Sequence, residues 1–126
     1  MFKVTKEEYF GAICNRLPEL DYQMGLSTCM GDEAFYLELL NDFTELPIKE
    51  ELNRFLEEKD AKNYCIRVHG FKNNAYSVGA KEIGDLAYEL EIITKNSVFN
   101  EVEQKQAHMF ELYDSVCERY NEVIVI

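Results

Sequence analysis

The chain has 126 residues, 47% of them hydrophobic and only six of them glycine and two proline, which suits one globular domain over residues 1–126 with a single core. Its 13 basic and 24 acidic residues give a formal net charge of −11, and this charge repels the phosphates of nucleic acids and of anionic membranes. No apolar run approaches the ~18 residues needed to span a bilayer. We therefore expect no nucleic-acid partner and no membrane partner.

The cysteines indicate the cellular compartment. They stand singly in apparently helical segments, without a CxxC pair or a preceding signal-peptide pattern, at positions 14, 29, 65 and 117. Reduced thiols are typical of intracellular proteins. We expect a cytoplasmic monomer.

The first predicted helix covers about residues 5–17 and precedes the main part of the fold. Thr5 and Glu8 form a capping-box pattern at its start, and Pro18 fits its end. Its apolar side chains are Tyr9, Phe10, Ile13 and Leu17. A turn or short helix is expected next, over about residues 21–30, and should stop at Gly31.

Two further helices are predicted on either side of Leu46. Asp32 can cap the first of them. The apolar face of this helix comprises Phe35, Leu39, Leu40 and Phe43. Pro47 lacks an N–H group, so it fits the first turn of a new helix better than the interior of a long one. The apolar positions of the second helix are Ile48, Leu52, Phe55 and Leu56.

The helix that begins at Asp60 carries a histidine on its polar side. Its apolar stripe recurs every three or four residues, at Ala61, Tyr64, Val68, Phe71, Ala75 and Val78. At roughly 100° per residue, His69 points about 135° away from that stripe and should face water. Its expected neighbours on that side are Lys62, Ile66, Asn73 and, at the edges, Lys72 and Tyr76.

Gly79 is expected to end the histidine helix in the left-handed conformation and to reverse the chain. The next helix should then pack antiparallel on it, and Gly84 would let the two helices approach closely. The apolar positions of this helix are Ile83, Leu86, Ala87, Leu90 and Ile93. A last helix over about residues 97–121 would open at Asn96 or Ser97. Its inward side chains are predicted to be Val98, Val102, Met109, Leu112, Val116 and Tyr120.

These stripes predict an all-α fold. Helices this short are not stable alone in water, so each must bury its apolar stripe against the others. We expect an up-and-down antiparallel four-helix bundle whose core helices begin near Asp32, Pro47, Asp60 and Ala80. The N-terminal and C-terminal helices are expected to be additional segments packed on this bundle.

A longer signature surrounds the histidine. Residues 68–91 read VHGFKNNAYSVGAKEIGDLAYELE, and this segment resembles the signature of histidine-containing phosphotransfer domains, which relay phosphoryl groups in bacterial multi-step two-component signalling. The matching positions are His69, Lys72, Gly79, Ala80, Ile83, Leu86, Ala87, Leu90 and Glu91. The upstream segment GLSTCMGDEAFYLELLNDFTE is similar to the family's first core segment. The resemblance covers about residues 17–93.

The resemblance implies a chemistry and a set of partners. In the family the phosphoryl group sits on the outer ring nitrogen of the histidine, here His69, and the lysine, here Lys72, offsets its negative charge. Donor and acceptor would be aspartates of response-regulator receiver domains, which would bring the Mg²⁺ that the transfer uses. A hybrid sensor histidine kinase would be a further partner. The expected docking residues around the histidine are Lys62, Ile66, Asn73 and Tyr76.

Other catalytic interpretations are weaker. The sequence has no glycine-rich phosphate loop or other nucleotide-binding motif, so we expect a phosphocarrier, not a kinase, without a cofactor or metal of its own. A metal pair of Cys65 and His69 is disfavoured, because zinc needs three or four ligands and the only other histidine, His108, is far along the chain. The acidic side chains near the middle of the chain should face solvent, and they are Glu50, Glu51, Glu57 and Glu58.

Asn73 departs from the family pattern. Many members have glycine four residues after the histidine, which leaves space over the ring. The Asn73 side chain could narrow access to the ring, or its amide could hydrogen-bond the ring or the phosphoryl group. This residue leaves a second interpretation open, in which a non-catalytic helical interaction module with the same fold binds a signalling partner through its acidic surface without phosphotransfer.

Overall fold

The structure is a computed structural model that describes residues 6–96, 99 and 101–124. Within that part of the chain it contains seven helices and no strand, which confirms the all-α prediction. The helices are α1 (Lys6–Arg16), α2 (Tyr22–Thr28), α3 (Glu33–Thr44), α4 (Ile48–Glu57), α5 (Ala61–Ser77), α6 (Lys81–Lys95) and α7 (Val102–Ile124). Among the described residues, no helix is both long enough and apolar enough to cross a bilayer.

Aspartates begin two of the central helices by accepting exposed backbone N–H groups. The carboxylate of Asp32 accepts the N–H of Phe35 at 3.1 Å at the start of α3. The carboxylate of Asp60 accepts the N–H of Asn63 at 3.1 Å at the start of α5. Both predicted caps are confirmed, whereas the predicted cap at Thr5 lies outside the described residues.

Pro47 and Gly79 lie at two points where the sequence predicted that one helix ends and the next begins. Pro47 is the N-cap of α4, so α3 and α4 are separate helices that meet near Leu46 as predicted. Gly79 has a φ of +81° directly after the C-cap of α5, a conformation that residues with a Cβ rarely adopt. Asp21 also packs so closely that a Cβ on Gly79 would overlap its carbonyl group. The reversal between α5 and α6 therefore requires glycine.

Helices α5 and α6 form an antiparallel hairpin. Tyr76, near the turn, donates to Asp85 at 2.6 Å, whereas His69, two turns further from the loop, contacts Glu91 at 2.8 Å. Residue numbers along α5 therefore decrease as the numbers of their contact partners on α6 increase, as in an antiparallel pair. Gly84 lies against the Tyr76 ring, where a Cβ would overlap the ring. The predicted close approach at this glycine is confirmed.

Three aromatic rings from α3, α5 and α7 pack at the centre of the bundle. The rings of Phe43 and Phe71 stack with their centres 5.5 Å apart, and Tyr113 meets them edge-on at 5.2 and 5.4 Å. The Tyr113 hydroxyl donates to the backbone oxygens of Phe43 and Leu46. It thereby adds a hydrogen bond to carbonyl groups at and just after the end of α3, where helical N–H partners run out.

A chain of polar side chains links α4, α5 and α7. The Tyr64 hydroxyl donates to Oε1 of Gln106 at 2.8 Å, and Nε2 of Gln106 donates to Oδ1 of Asn53 at 2.8 Å. Tyr64 and Gln106 are buried, so these bonds satisfy groups that would otherwise be unpaired in the core. Tyr64 and Gln106 are 42 positions apart, and Phe71 and Tyr113 have the same spacing. Helices α5 and α7 therefore run parallel.

Helix α7 is the fourth helix of the bundle, and α3 and α4 share one position in it. Phe43 of α3 packs on Phe71 of α5, and Glu51 of α4 pairs at 3.0 Å with Arg67, one turn closer to the start of α5. Helices α3 and α4 therefore follow one another along α5. The predicted all-α helical bundle is confirmed, and within it the C-terminal helix packs along the α5–α6 hairpin. The 23 residues of α7 provide a stripe long enough to run along the bundle.

Most of the predicted core positions are buried. The fully buried ones are Ile13, Leu17, Leu40, Phe43, Ile48, Leu52, Tyr64, Val68, Phe71, Ala75, Val78, Ile83, Ala87, Leu90, Val102, Met109, Val116 and Tyr120. The half-buried ones are Phe10, Leu39, Phe55, Leu56, Ala61, Leu86, Ile93 and Leu112. The Tyr9 side chain and Val98 lie outside the described part.

The prediction for Phe35 was wrong. Its side chain is 45% exposed, and the neighbouring Tyr36 is buried in its place. The Tyr36 hydroxyl donates at 2.9 Å to the backbone oxygen of Val78, where α5 ends. Because this bond satisfies both a buried hydroxyl and a helix-end carbonyl, it favours tyrosine over phenylalanine at the core-facing position.

The predicted start of the last helix was also wrong. Asn96 is the C-cap of α6, and α7 begins at Val102. The Asn96 side chain donates to the backbone oxygen of Ile92 at 3.2 Å. An asparagine amide both donates and accepts hydrogen bonds, so it can satisfy either end of a helix. The alternative cap Ser97 lies outside the described residues.

Candidate functional site

His69 lies in the middle of α5 and faces outward. Its side chain is 55% exposed, whereas Val68 and Phe71 on the same helix are fully buried. The predicted orientation of the ring is confirmed. A rigid, well-packed helix therefore presents the imidazole at the surface.

A carboxylate from the next helix holds the inner ring nitrogen. Nδ1 of His69 lies 2.8 Å from Oε2 and 3.1 Å from Oε1 of Glu91. The sequence matched Glu91 to the Leu-Glu of the family signature but gave it no role. The predicted hairpin could have indicated this contact. Its turn at Gly79 and Ala80 brings residues that are similar numbers of positions before and after the turn to the same level of the bundle.

Lys72 binds the same carboxylate. Its Nζ lies 2.8 Å from Oε1 of Glu91 and 5.1 Å from the centre of the Tyr88 ring. Nζ is also 3.4 Å from Nδ1 of His69, which follows from two donors sharing one acceptor. The Lys72 side chain is only 16% exposed. It is therefore a fixed cation beside the imidazole, not a solvated surface charge.

The electrostatics of this cluster fix the proton on the imidazole. Partial burial opposes ionisation of Glu91, but the hydrogen bonds from Lys72 and His69 outweigh it and hold the pKa of Glu91 below its ordinary value. Glu91 is therefore an ionised carboxylate near neutral pH and can only accept hydrogen bonds. In the neutral ring the proton must then lie on Nδ1, so Nε2 carries a lone pair that faces outward.

Asn73 lies one turn after His69 and reaches its outer nitrogen. Nδ2 of the Asn73 amide is 3.5 Å from Nε2 of His69, at the long limit for a hydrogen bond. Asn73 is exposed, and its side chain stands at the position where many family members have glycine. The amide is therefore within reach of the outer ring nitrogen, as one of the two possibilities for Asn73 requires.

The other predicted docking residues differ in availability. Lys62 and Ile66 are exposed on the same side of α5 as His69, and Ile66 is 61% exposed. Tyr76 is half-buried and donates its hydroxyl to Asp85 at 2.6 Å. Tyr76 therefore holds α5 against α6, and its ring is not a free contact surface.

Two apolar residues near the histidine were missed by the sequence analysis. Tyr88 and Ile92, on α6, are 50% and 47% exposed. Tyr88 packs on Lys72, and Ile92 follows Glu91 in the chain. Tyr88 and Ile92 are one helical turn apart and lie outside the apolar stripe of α6. This spacing puts both on one exposed face of the helix, so the sequence could have revealed them. Tyr88, Ile92 and Ile66 are the exposed apolar residues of the two helices that carry His69 and Glu91, and we call them the flanking hydrophobic residues.

Metal binding has no support in this region. No group of three or more His, Cys, Asp or Glu side chains that could hold a metal ion occurs among the residues that the structure describes. The Cys65 thiol donates to the backbone oxygen of Glu91 at 3.6 Å. His108 is exposed on α7.

Comparisons with known proteins found no matching protein-family model, no matching curated protein and no matching solved structure.

Proposed function

We propose that the chain is a histidine phosphotransfer protein that relays a phosphoryl group between aspartates of receiver domains through His69. One observation carries the proposal. An exposed imidazole has its inner nitrogen bound to an ionised carboxylate at 2.8 Å, which leaves the lone pair of the outer nitrogen free to attack phosphorus. The family signature around His69 supports the same residue independently.

The transfer step needs no base at Nε2. The lone pair of His69 Nε2 forms a bond to the phosphorus of an aspartyl phosphate, and the bond from phosphorus to the aspartate oxygen breaks. The electron pair leaves with the aspartate carboxylate. The proton on Nδ1 stays in place, so the ring becomes positively charged while the phosphoryl group is attached. The reverse step hands the group to the next aspartate.

Glu91 and Lys72 have complementary roles in this step. The Glu91 carboxylate stabilises the positive charge that develops on the ring, because it is already bound to Nδ1 before the reaction. The Lys72 ammonium lies 3.4 Å from the same nitrogen, where its charge offsets the negative charge of the phosphoryl group. Both groups are fixed before transfer, so little rearrangement is needed.

The proposal includes partners that supply what the chain lacks. The sequence has no nucleotide-binding motif, so the phosphoryl group would come from a receiver domain, coupled to a hybrid sensor histidine kinase. Mg²⁺ would be held by the receiver at its own aspartate. The flanking hydrophobic residues Ile66, Tyr88 and Ile92 would contact the receiver around the reacting atoms. A cytoplasmic monomer fits this role.

The test is phosphoryl transfer from a panel of phosphorylated receiver domains to the purified chain. Label should appear on the protein as acid-labile, base-stable phosphate, as expected for phosphohistidine. His69→Gln should accept none, while its melting temperature stays within a few degrees, because the position is largely exposed and the glutamine amide can still donate a hydrogen bond to Glu91. His108→Gln is the matched control and should accept label like the wild type.

A second candidate function is a non-catalytic interaction module with the same fold. The exposure of Ile66, Tyr88 and Ile92 beside Asn73 favours it, since such a surface can bind a signalling partner without chemistry. Under this alternative the wild type would bind receivers as tightly as His69→Gln does and would accept no label from any of them.

A further inference from the structure

The Asn73 amide lies beside the atom that would carry the phosphoryl group. Nδ2 is 3.5 Å from Nε2 of His69, and Asn73 occupies the next turn of the same helix. Glycine at this position would offer no side chain at all. The chain therefore places a hydrogen-bond donor where the family pattern leaves open space.

The contact has a defined polarity. Because Glu91 keeps the imidazole proton on Nδ1, Nε2 is an acceptor, and only the NH₂ side of the Asn73 amide is attracted to it. The separation of 3.5 Å makes this a weak bond in the unphosphorylated protein. The amide donor therefore lies near the ring but forms no strong hydrogen bond with it.

We propose that Asn73 binds the phosphoryl group on His69, by donating an amide hydrogen bond to one of its oxygens. The inference rests on the proposed function. Once phosphorus is bonded to Nε2, its oxygens extend outward from that nitrogen, toward the amide. They are negatively charged acceptors, which form stronger hydrogen bonds than a neutral imidazole lone pair does.

This contact distinguishes the two states of the carrier. The amide gains a stronger acceptor on phosphorylation, so it stabilises phosphohistidine relative to free histidine. It should therefore shift the transfer equilibrium toward the carrier and slow loss of the group to water. In that loss water attacks phosphorus, the bond to Nε2 breaks with its electron pair returning to the nitrogen, and neutral imidazole and dihydrogen phosphate are released.

The test uses phosphoramidate, a small donor that phosphorylates histidine without a docked protein. Wild type, Asn73→Leu and Asn74→Leu are labelled, the donor is removed, and the decay of the phosphorylated form is followed by phosphorus NMR and intact mass. The leucine side chain has the same number of heavy atoms and branches at the same carbon, but it cannot donate a hydrogen bond. Asn74 is the exposed next residue of α5, so its substitution carries the same change in helix propensity and hydrophobicity.

Asn73→Leu should lose the phosphoryl group about three to ten times faster than the wild type, the range expected for one lost hydrogen bond. Asn74→Leu should decay like the wild type. Equal decay of all three labelled proteins, or slower decay of Asn73→Leu, would overturn the role of Asn73 and leave the proposed function standing. Absence of label on wild-type His69 would overturn both.

Discussion

The Glu91 carboxylate lies 2.8 Å from Nδ1 of His69, although the two residues are 22 positions apart on different helices. This contact decides which ring nitrogen is protonated, and it does so before any partner binds. Under the proposed function, the reactivity of the exposed histidine would therefore depend on a residue of α6 that does not itself contact the phosphoryl group.

Replacement of Glu91 by glutamine should slow phosphoryl transfer by about ten- to a hundredfold. The neutral amide cannot stabilise the positive charge that develops on the ring, and it can pair with either ring tautomer. Transfer rates and nitrogen NMR of the His69 ring measure the two effects. Glu89→Gln is the control, because Glu89 lies on the same helix and pairs with Lys105 instead. Unchanged rates and an unchanged tautomer in Glu91→Gln would contradict this role.

The same residue should make stability depend on pH in the acid range. The pKa of Glu91 in the folded protein is below its ordinary value of 4.5, so the unfolded chain binds its proton more readily. The stabilisation is fully present above pH 4.5 and is lost as the pH falls through the lower folded value. Urea unfolding between about pH 6 and pH 3 should therefore show a steeper loss for wild type than for Glu91→Gln. Parallel curves would exclude the effect.

Lys72→Ala should reduce both stability and transfer. An exposed lysine usually contributes little, but Lys72 is mostly buried, bonds Glu91 and packs on Tyr88, so we expect a loss of about 1–2 kcal/mol. Transfer should slow because the cation beside the ring is gone. Thermal unfolding and receiver transfer assays measure these losses. Lys62→Ala should leave stability nearly unchanged, and equal unfolding temperatures of the two variants would show that Lys72 contributes no more to stability than a surface charge does.

Two glycines of the α5–α6 hairpin should respond oppositely to alanine. A Cβ on Gly84 would overlap the Tyr76 ring, so Gly84→Ala should destabilise the protein by about 1–3 kcal/mol. Gly70 has open space, with its nearest neighbour the Arg67 side chain at 3.8 Å. Gly70→Ala should therefore stabilise α5 by about 0.5–1 kcal/mol through helix propensity. Chemical denaturation of both variants tests the pair, and stabilisation of Gly84→Ala would contradict the close packing.

The apolar periodicity and the capping residues of the sequence were sufficient to predict where most of the helices lie. Asp32, Asp60 and Gly79 act where their chemistry predicted, because capping and left-handed φ are local properties of a few residues. The outward direction of His69 was equally predictable, since it follows from helix geometry alone. Local patterns also identified both helices that meet near Pro47.

The remaining features depend on contacts between distant segments. The Tyr36 hydroxyl meets a backbone oxygen 42 positions away, although the i, i+3, i+4, i+7 spacing of Tyr36, Leu39, Leu40 and Phe43 was a local signal that favours Tyr36 over Phe35. Gln106 is a polar residue in the core because Tyr64 and Asn53 pair with it. The level of Glu91 opposite His69 could be predicted from the turn at Gly79 and Ala80, but the hydrogen bond between the two side chains depends on how the helices pack. Family resemblance indicated the histidine but not its carboxylate partner.

The bonds among Tyr64, Gln106 and Asn53 also prevent axial slippage of the C-terminal helix. A shift of α7 by one turn would bring Val102 or Phe110 to the level of the Tyr64 hydroxyl, and neither side chain can accept its hydrogen bond. An unsatisfied buried hydroxyl costs about 1–3 kcal/mol, and the same shift would also move Tyr113 out of contact with Phe43 and Phe71. The polar chain thus selects a single longitudinal alignment of α7 against the helix that carries the histidine.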